Sequence, residues 1–96
     1  MQHLTVEKIK EKIIPILKGA GVTRSALFGS YVRGEETEDS DVDILVDYPE
    51  GYSLFDVVAL QYTLEDALGK SVDLVGFKNI KPRLKEYILS EQVSIL

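Results

Sequence analysis

Gly29-Ser30, followed across a short acidic stretch by Asp41-Val42-Asp43, is the part of this chain whose residue types and spacing can do chemistry. A glycine permits an unusual backbone angle and the close approach of a ligand. Ser30 adds a hydroxyl, and the amides of a helical turn after it favour phosphate oxygens. Arg33, one turn further on, is placed to neutralise phosphate charge. On a strand, residues two apart point to the same side, about 6.5–7 Å apart along the chain, so Asp41 and Asp43 aim both carboxylates at one region. Unpaired carboxylates about 4 Å apart repel by roughly 4 kcal/mol at an effective dielectric near 20, and a divalent cation reverses that sign. Oxygen ligands with no His or Cys beside them favour Mg²⁺ or Mn²⁺ over zinc.

Two such ions about 3.5–4 Å apart stabilise both the attacking and the leaving oxygens of an in-line displacement, and a third carboxylate is usually wanted on the nucleophile's side. Asp73, in Val72-Asp73-Leu74-Val75, supplies it. It is a lone acid in an apolar strand, costly to bury without a partner, and suited to binding metal and helping to take a hydroxyl proton. Each feature alone has a plainer explanation. Gly-Ser is usually a turn, Asp-x-Asp a solvated strand end, and a single Asp a capping or salt-bridged residue. The combination at fixed spacing arises by chance in roughly one chain in a thousand of this length, from average composition. The set therefore reads as a site for a metal-bound nucleoside triphosphate.

The elements that must position these residues follow from the pattern around them. Val6, Ile9, Ile13, Ile14 and Leu17 recur at helical spacing behind Thr5 as N-cap, with a kink or break expected at Pro15. Val22–Phe28 reads as a strand, Tyr31–Gly34 as one helical turn, and Glu35–Asp39 as an exposed loop whose charges have no partners within the tract. Asp41–Val46 reads as a second strand buried on both faces. After a turn at Tyr48-Pro49-Glu50-Gly51, Ser53 caps a helix over Leu54–Leu68 that Gly69 stops. Its expected inner face is Leu54, Val57, Val58, Leu64, Ala67 and Leu68. Ser71–Val75 reads as a third strand, Lys81–Leu89 as a helix with Pro82 in its first turn, and Val93–Leu96 as a short extended piece.

The expected class is α/β (α+β): a mixed sheet of at least three strands flanked by helices. For Gly29-Ser30 at the exit of the first strand to meet Asp41, Asp43 and Asp73 near the starts of the next two, strands two and three must be parallel and strand one antiparallel. The Leu54–Leu68 helix is then a right-handed crossover.

The chain has 96 residues, enough for one domain but with little material for a second, acceptor-binding one. Any acceptor must come from outside. A net charge of −5 argues against a duplex-binding surface, and the absence of cysteine excludes disulfides and thiolate metal sites. No apolar run is long enough for a membrane helix, and the N-terminal residues lack the pattern of a signal peptide, so a cytoplasmic location is expected. His3 reads as frayed surface and Lys81, Arg83 and Lys85 as a solvated helix face. Tyr48, Tyr52 and Phe55 read as a staple at the start of the long helix ahead of the alternative, part of a partner contact.

On these residues the chain resembles the minimal nucleotidyltransferases of the DNA polymerase beta-like superfamily. Their signature is Gly-Ser, a spacer, Asp-x-Asp and a third Asp on a later strand. It is similar above all to the MntA-type antitoxins of HEPN–MNT toxin–antitoxin pairs. That likeness extends through Tyr52–Val58, Leu64–Gly69, Val72–Val75 and Pro82–Glu86, and covers roughly Val22 to the C-terminus. The resemblance implies a nucleotidyltransferase fold, with Mg²⁺ on Asp41, Asp43 and Asp73 and the triphosphate on Gly29 and Ser30. It also implies transfer of AMP from ATP to a tyrosine of a HEPN-type RNase toxin, held as a hetero-oligomer and silenced by the modification. Val32 stands where the family often has a smaller residue, which bears on packing of the turn rather than on the acids. Two other functions fit parts of the pattern: an antitoxin that acts by occupying its toxin, and a nucleotidyltransferase for a small molecule.

Overall fold

In the computed structural model, which describes residues 4–96, Thr5 opens helix α1 (Val6–Gly19) by accepting the Lys8 N–H at 3.2 Å. His3 lies outside the described residues. Ile9, Ile13 and Leu17 form the buried face of α1. Of the kink or break expected at Pro15, no break forms: the helix is continuous through it. Pro15 is exposed, so the carbonyl that loses its intrahelical donor lies on the solvent side, where water can replace it.

Strand β1 (Arg24–Phe28) leads through Gly29 into the single turn α2 (Ser30–Arg33), which Gly34 closes in the left-handed conformation. The acidic loop follows. Outside the tract, the Glu35 carboxylate pairs with Arg33, and the backbone carbonyl of Glu38 accepts from Lys70 Nζ. Strand β2 (Val42–Asp47) comes next, then α3 (Leu54–Leu68), β3 (Val72–Gly76), a 3₁₀ turn at Phe77–Asn79, α4 (Pro82–Glu91) and the two-residue β4 (Val93–Ser94).

The four strands lie in the order β3-β2-β1-β4. Strand β2 is parallel to β3 and antiparallel to β1, as the site required, and α3 joins the parallel pair. The extended tail pairs antiparallel with β1, Ala26 opposite Ser94.

Alternation along the strands separates two faces. Val42, Ile44, Val46, Leu27 and Val72 meet α1 and α3 in the main core, with Tyr31 at its rim. Ala26 and Leu45 pack on the other face with Ile80 and, from α4, Ile88 and Leu89. Ser25, buried and polar, donates its hydroxyl to the Leu45 carbonyl at 2.8 Å.

Helix α3 has the expected ends. Ser53 and Asp56 form a reciprocal capping box, and Gly69 at φ 68° takes the C-cap. Its inner face matches expectation at Leu64 and Leu68 but not at its N-terminal end. Leu60, Leu64 and Leu68 are buried, whereas Leu54 is 78% exposed and Val58 is exposed as well. The helix is apolar around much of its circumference, so apolarity alone does not identify the inward face. Gln61 and Glu65 fasten α3 to β3: Gln61 Nε2 donates to the Val72 carbonyl at 3.0 Å, and Glu65 Oε2 accepts the Val72 N–H at 2.9 Å. Tyr48 and Tyr52 stack at 5.5 Å before the helix, but Phe55 stays in solvent and takes no part in that staple.

Candidate active site

The register across the sheet explains why the acids and the glycine turn meet. Asp43 sits opposite Phe28 of β1 on one side and opposite Asp73 of β3 on the other. Adjacent strands lie about 4.8 Å apart, so this row sets Asp73, Asp43 and the exit of β1 side by side. Gly29 is the next residue after Phe28, with φ 82° and ψ −153°. A Cβ at Gly29 would overlap Asp43 Oδ2 and stand 3.0 Å from Asp43 Cγ. Glycine is therefore required twice here, for its backbone angle and for the space that Asp43 occupies.

Tyr31, buried in the main core, anchors α2, while Ser30 and Arg33 lie less deeply. Helix α2 makes its first bonds to the Gly29 and Ser30 carbonyls, and the leading amides of a helix have no intrahelical acceptor of their own. Arg33 lies above this turn, its Nη1 donating to Glu91 Oε1 at 3.1 Å and its Nε to Glu35. The hydrogen bond with Glu35 and, against some desolvation, the charges of Tyr87 and Glu91 raise the Arg33 pKa.

Of the three carboxylates, Asp43 alone is half-buried; Asp41 and Asp73 are exposed. This corrects the expectation for Asp73. It lies on an edge strand, where an acid reaches water despite apolar neighbours in sequence, and the desolvation falls on Asp43 instead. Burial, then the charges of Asp73 and Asp41, push the Asp43 carboxyl from 3.8 up to about 6, with Arg33 offsetting part of the rise. Among the described residues, no three acidic or imidazole side chains meet as a ready-made coordination shell. The backbone nevertheless brings Asp41, Asp43 and Asp73 to one end of the sheet, with Asp43 opposite Asp73 in register. An open hollow of about 850 Å³ adjoins Asp41, bounded by Lys8, Lys12, Tyr31, Glu38 and Lys70 among others, so solvent reaches that acid from the α1 side.

Glu91 is the site neighbour that the sequence does not reveal. It lies at the end of α4 and is 62 residues from Gly29, whose N–H approaches Glu91 Oε1 at 3.4 Å. No local pattern marks it, because only the docking of α4 on the second face of the sheet turns it inward. The basic residues of α4 remain solvated, as expected: Arg83 and Lys85 are exposed, as is Lys81 just ahead of the helix.

A mixed sheet that sets a glycine–serine turn against an Asp-x-Asp strand and a third Asp is the arrangement of a nucleotidyl-transfer fold. The family described as polymerase beta, nucleotidyltransferase matches residues 11–96, and the chain belongs to it. It is 52% identical over 93 residues to a Methanocaldococcus jannaschii protein named as a candidate protein adenylyltransferase, covering 97% of this chain and all of that protein. It is 42% identical over 99 residues to the protein adenylyltransferase MntA of Thermococcus cleftensis, covering 99% of this chain and 100% of the relative. A crystal structure of a toxin–antitoxin with AMP-PNP superposes with a TM-score of 0.79 at 27% identity, covering 91% of this chain and 72% of that one. No described helix is long and apolar enough to cross a membrane.

Proposed function

We propose that this chain is a Mg²⁺-dependent protein adenylyltransferase that transfers AMP from ATP to a tyrosine of a HEPN-type RNase toxin and so acts as its antitoxin. The observation that carries the reading is the row Gly29–Asp43–Asp73, in which the glycine turn is pressed against a carboxylate whose charge the fold itself disfavours. Relatives named as protein adenylyltransferases, and a toxin–antitoxin structure containing AMP-PNP, support the nucleotide and the class of acceptor.

The donor set fits a hard divalent cation. Asp41, Asp43 and Asp73 offer only oxygen, and burial together with the charges of Asp73 and Asp41 raises the Asp43 pKa, a penalty that a bound cation would offset. Asp41 and Asp43 would hold Mg²⁺ on the triphosphate side, and Asp73 would complete the set on the acceptor side; Mn²⁺ suits the same ligands. When bound, the ions supply charge neutralisation at the reacting phosphate and lower the pKa of the attacking hydroxyl.

The rest falls to the chain. Gly29 and Ser30 receive the β- and γ-phosphates, and Arg33 balances charge on the leaving pyrophosphate. The tyrosine oxygen forms its bond to the α-phosphorus as the bond to pyrophosphate breaks, and Asp73 assists departure of the phenolic proton. The acceptor is presented by the partner, in a cytoplasmic complex.

The test is incubation of the protein with a HEPN-type partner, ATP and Mg²⁺, followed by intact-mass analysis of the partner. One or more added AMP groups on tyrosine are expected, and their loss in the Asp41→Asn, Asp43→Asn double variant. The exposed Leu54, Phe55, Val58 and Tyr62 along α3 favour a second contribution, in which occupation of the toxin helps to silence it. If the double variant neutralises the toxin undiminished, occupation alone is the function and catalysis is not. Label from ATP appearing on a small metabolite rather than on protein would point instead to a small-molecule nucleotidyltransferase.

A further inference from the structure

Glu91 is the acid of α4 that turns inward; its side chain is 17% exposed, while Glu86 on the same helix is exposed. Its Oε1 lies between the Gly29 N–H at 3.4 Å and Arg33 Nη1 at 3.1 Å. An amide at a glycine turn together with a guanidinium is a donor pair suited to a phosphate oxygen. Gly29 has no side chain with which to cap α2, and a carboxylate from the far end of the sequence stands near its amide instead. The Gly29 contact is long for an N–H···O bond and therefore weak. Two residues beyond Glu91, β4 is fixed to β1, with Leu27 opposite Val93, so the end of α4 that carries Glu91 is tied to the sheet.

We infer that Glu91 is a placeholder anion: its carboxylate holds the Gly29 amide and Arg33 until the triphosphate of the nucleotide takes both donors over. Glu91 thereby sets nucleotide affinity, because two anions exclude each other from one donor pair, and only the fraction of molecules with the donors released is competent to bind. A ligand carrying several phosphate charges displaces the carboxylate; a weakly charged one does not. This inference rests on the nucleotidyl-transfer reading and adds the residue that opposes substrate binding. If Glu91 were only an ion-pair strut for α2, its removal would loosen the turn and weaken binding, which is the opposite sign.

The experiment is calorimetric titration of the wild-type protein and Glu91→Gln with Mg²⁺·AMP-PNP and, separately, with inorganic pyrophosphate. Glutamine keeps the length and hydrogen-bonding capacity of the side chain and removes its charge. In E91Q the Kd for both probes is expected to fall about tenfold, equivalent to about 1.4 kcal/mol. The KM for ATP should fall in parallel while kcat changes little. Unchanged or weaker binding of AMP-PNP by E91Q, with normal binding by the wild type, overturns the inference and leaves the proposed function standing. If neither protein binds AMP-PNP, both fall together. Thermal melting checks that E91Q is folded. If it is not, Glu91→Asp, which keeps the charge but shortens its reach, decides: a lower Kd supports the placeholder, and an unchanged or higher one refutes it.

Discussion

Replacing Asp43 by asparagine should make the metal-free protein more stable while abolishing nucleotidyl transfer. The Asp43 carboxyl ordinarily titrates at 3.8 and in the fold at about 6, a rise of about two. Each pKa unit is worth about 1.4 kcal/mol, so the folded state would bear about 3 kcal/mol if the charge were fully removed from water. Asp43 is only half-buried, and solvent screening reduces this to roughly 1–2 kcal/mol. Below pH 3.8 the carboxyl is protonated in both states and the penalty is absent. It grows as pH rises from 3.8 to 6, where the unfolded chain ionises first, and is complete above 6. Urea unfolding in the presence of a chelator, from pH 4 to pH 8, should therefore show Asp43→Asn and wild type nearly equal at the acid end. Above pH 6 the variant should lead by about 1–2 kcal/mol. Saturating Mg²⁺ should close the gap, because only the wild type gains from binding it. A variant no more stable than wild type at pH 7.5 without metal, or a difference that does not change with pH, would refute the account of Asp43 as a penalised charge.

Further substitutions probe the neighbouring features. Gly29→Ala should cost about 2–4 kcal/mol in urea unfolding, from the positive φ and the overlap with Asp43, and should abolish AMP transfer. Arg33→Ala should raise the KM for ATP about tenfold and barely move the thermal midpoint, since its ion pairs are partly solvent-exposed. On α3, Leu60→Ala should cost about 2–4 kcal/mol, whereas Leu54→Ala should stay within about 0.5 kcal/mol; denaturant midpoints compare the two directly. Mg²⁺ affinity of the wild type, followed by calorimetry, should drop as pH falls below about 6, because Asp43 must release its proton to coordinate metal.

The site was legible where its signal was local or where geometry forced the answer. The capping residues Ser53 and Gly69, the turn at Gly29-Ser30 and the spacing of Asp41 and Asp43 are written into short windows of sequence. The parallel pairing of β2 and β3 followed because three acids and a glycine turn cannot otherwise share one end of a sheet. The less legible features depend on what lies next to an element rather than on the element itself. Val72, Leu74 and Val75 make Asp73 read as buried, but β3 is an edge strand and the acid reaches water. Helix α3 carries apolar residues on more than one side, so its inward stripe through Leu60 is chosen by the sheet. Pro15 is tolerated because it faces out. Glu91 meets Arg33 across 58 residues, a distance no window spans.

The fastening of α3 to the start of β3 also governs how this sheet behaves towards other chains. An edge strand with unpaired backbone groups is a template on which a foreign strand can form. Here the Val72 N–H and carbonyl are already taken by Glu65 and Gln61, and the neighbouring Asp73 sets a charge on the same edge. What remains of β3 runs directly into the 3₁₀ turn at Phe77, and the opposite edge is the two-residue β4. Neither margin offers a long ladder for aggregation or for strand exchange between copies. Association with another protein is left to side-chain surfaces, so a partner can dock and leave without the sheet being extended.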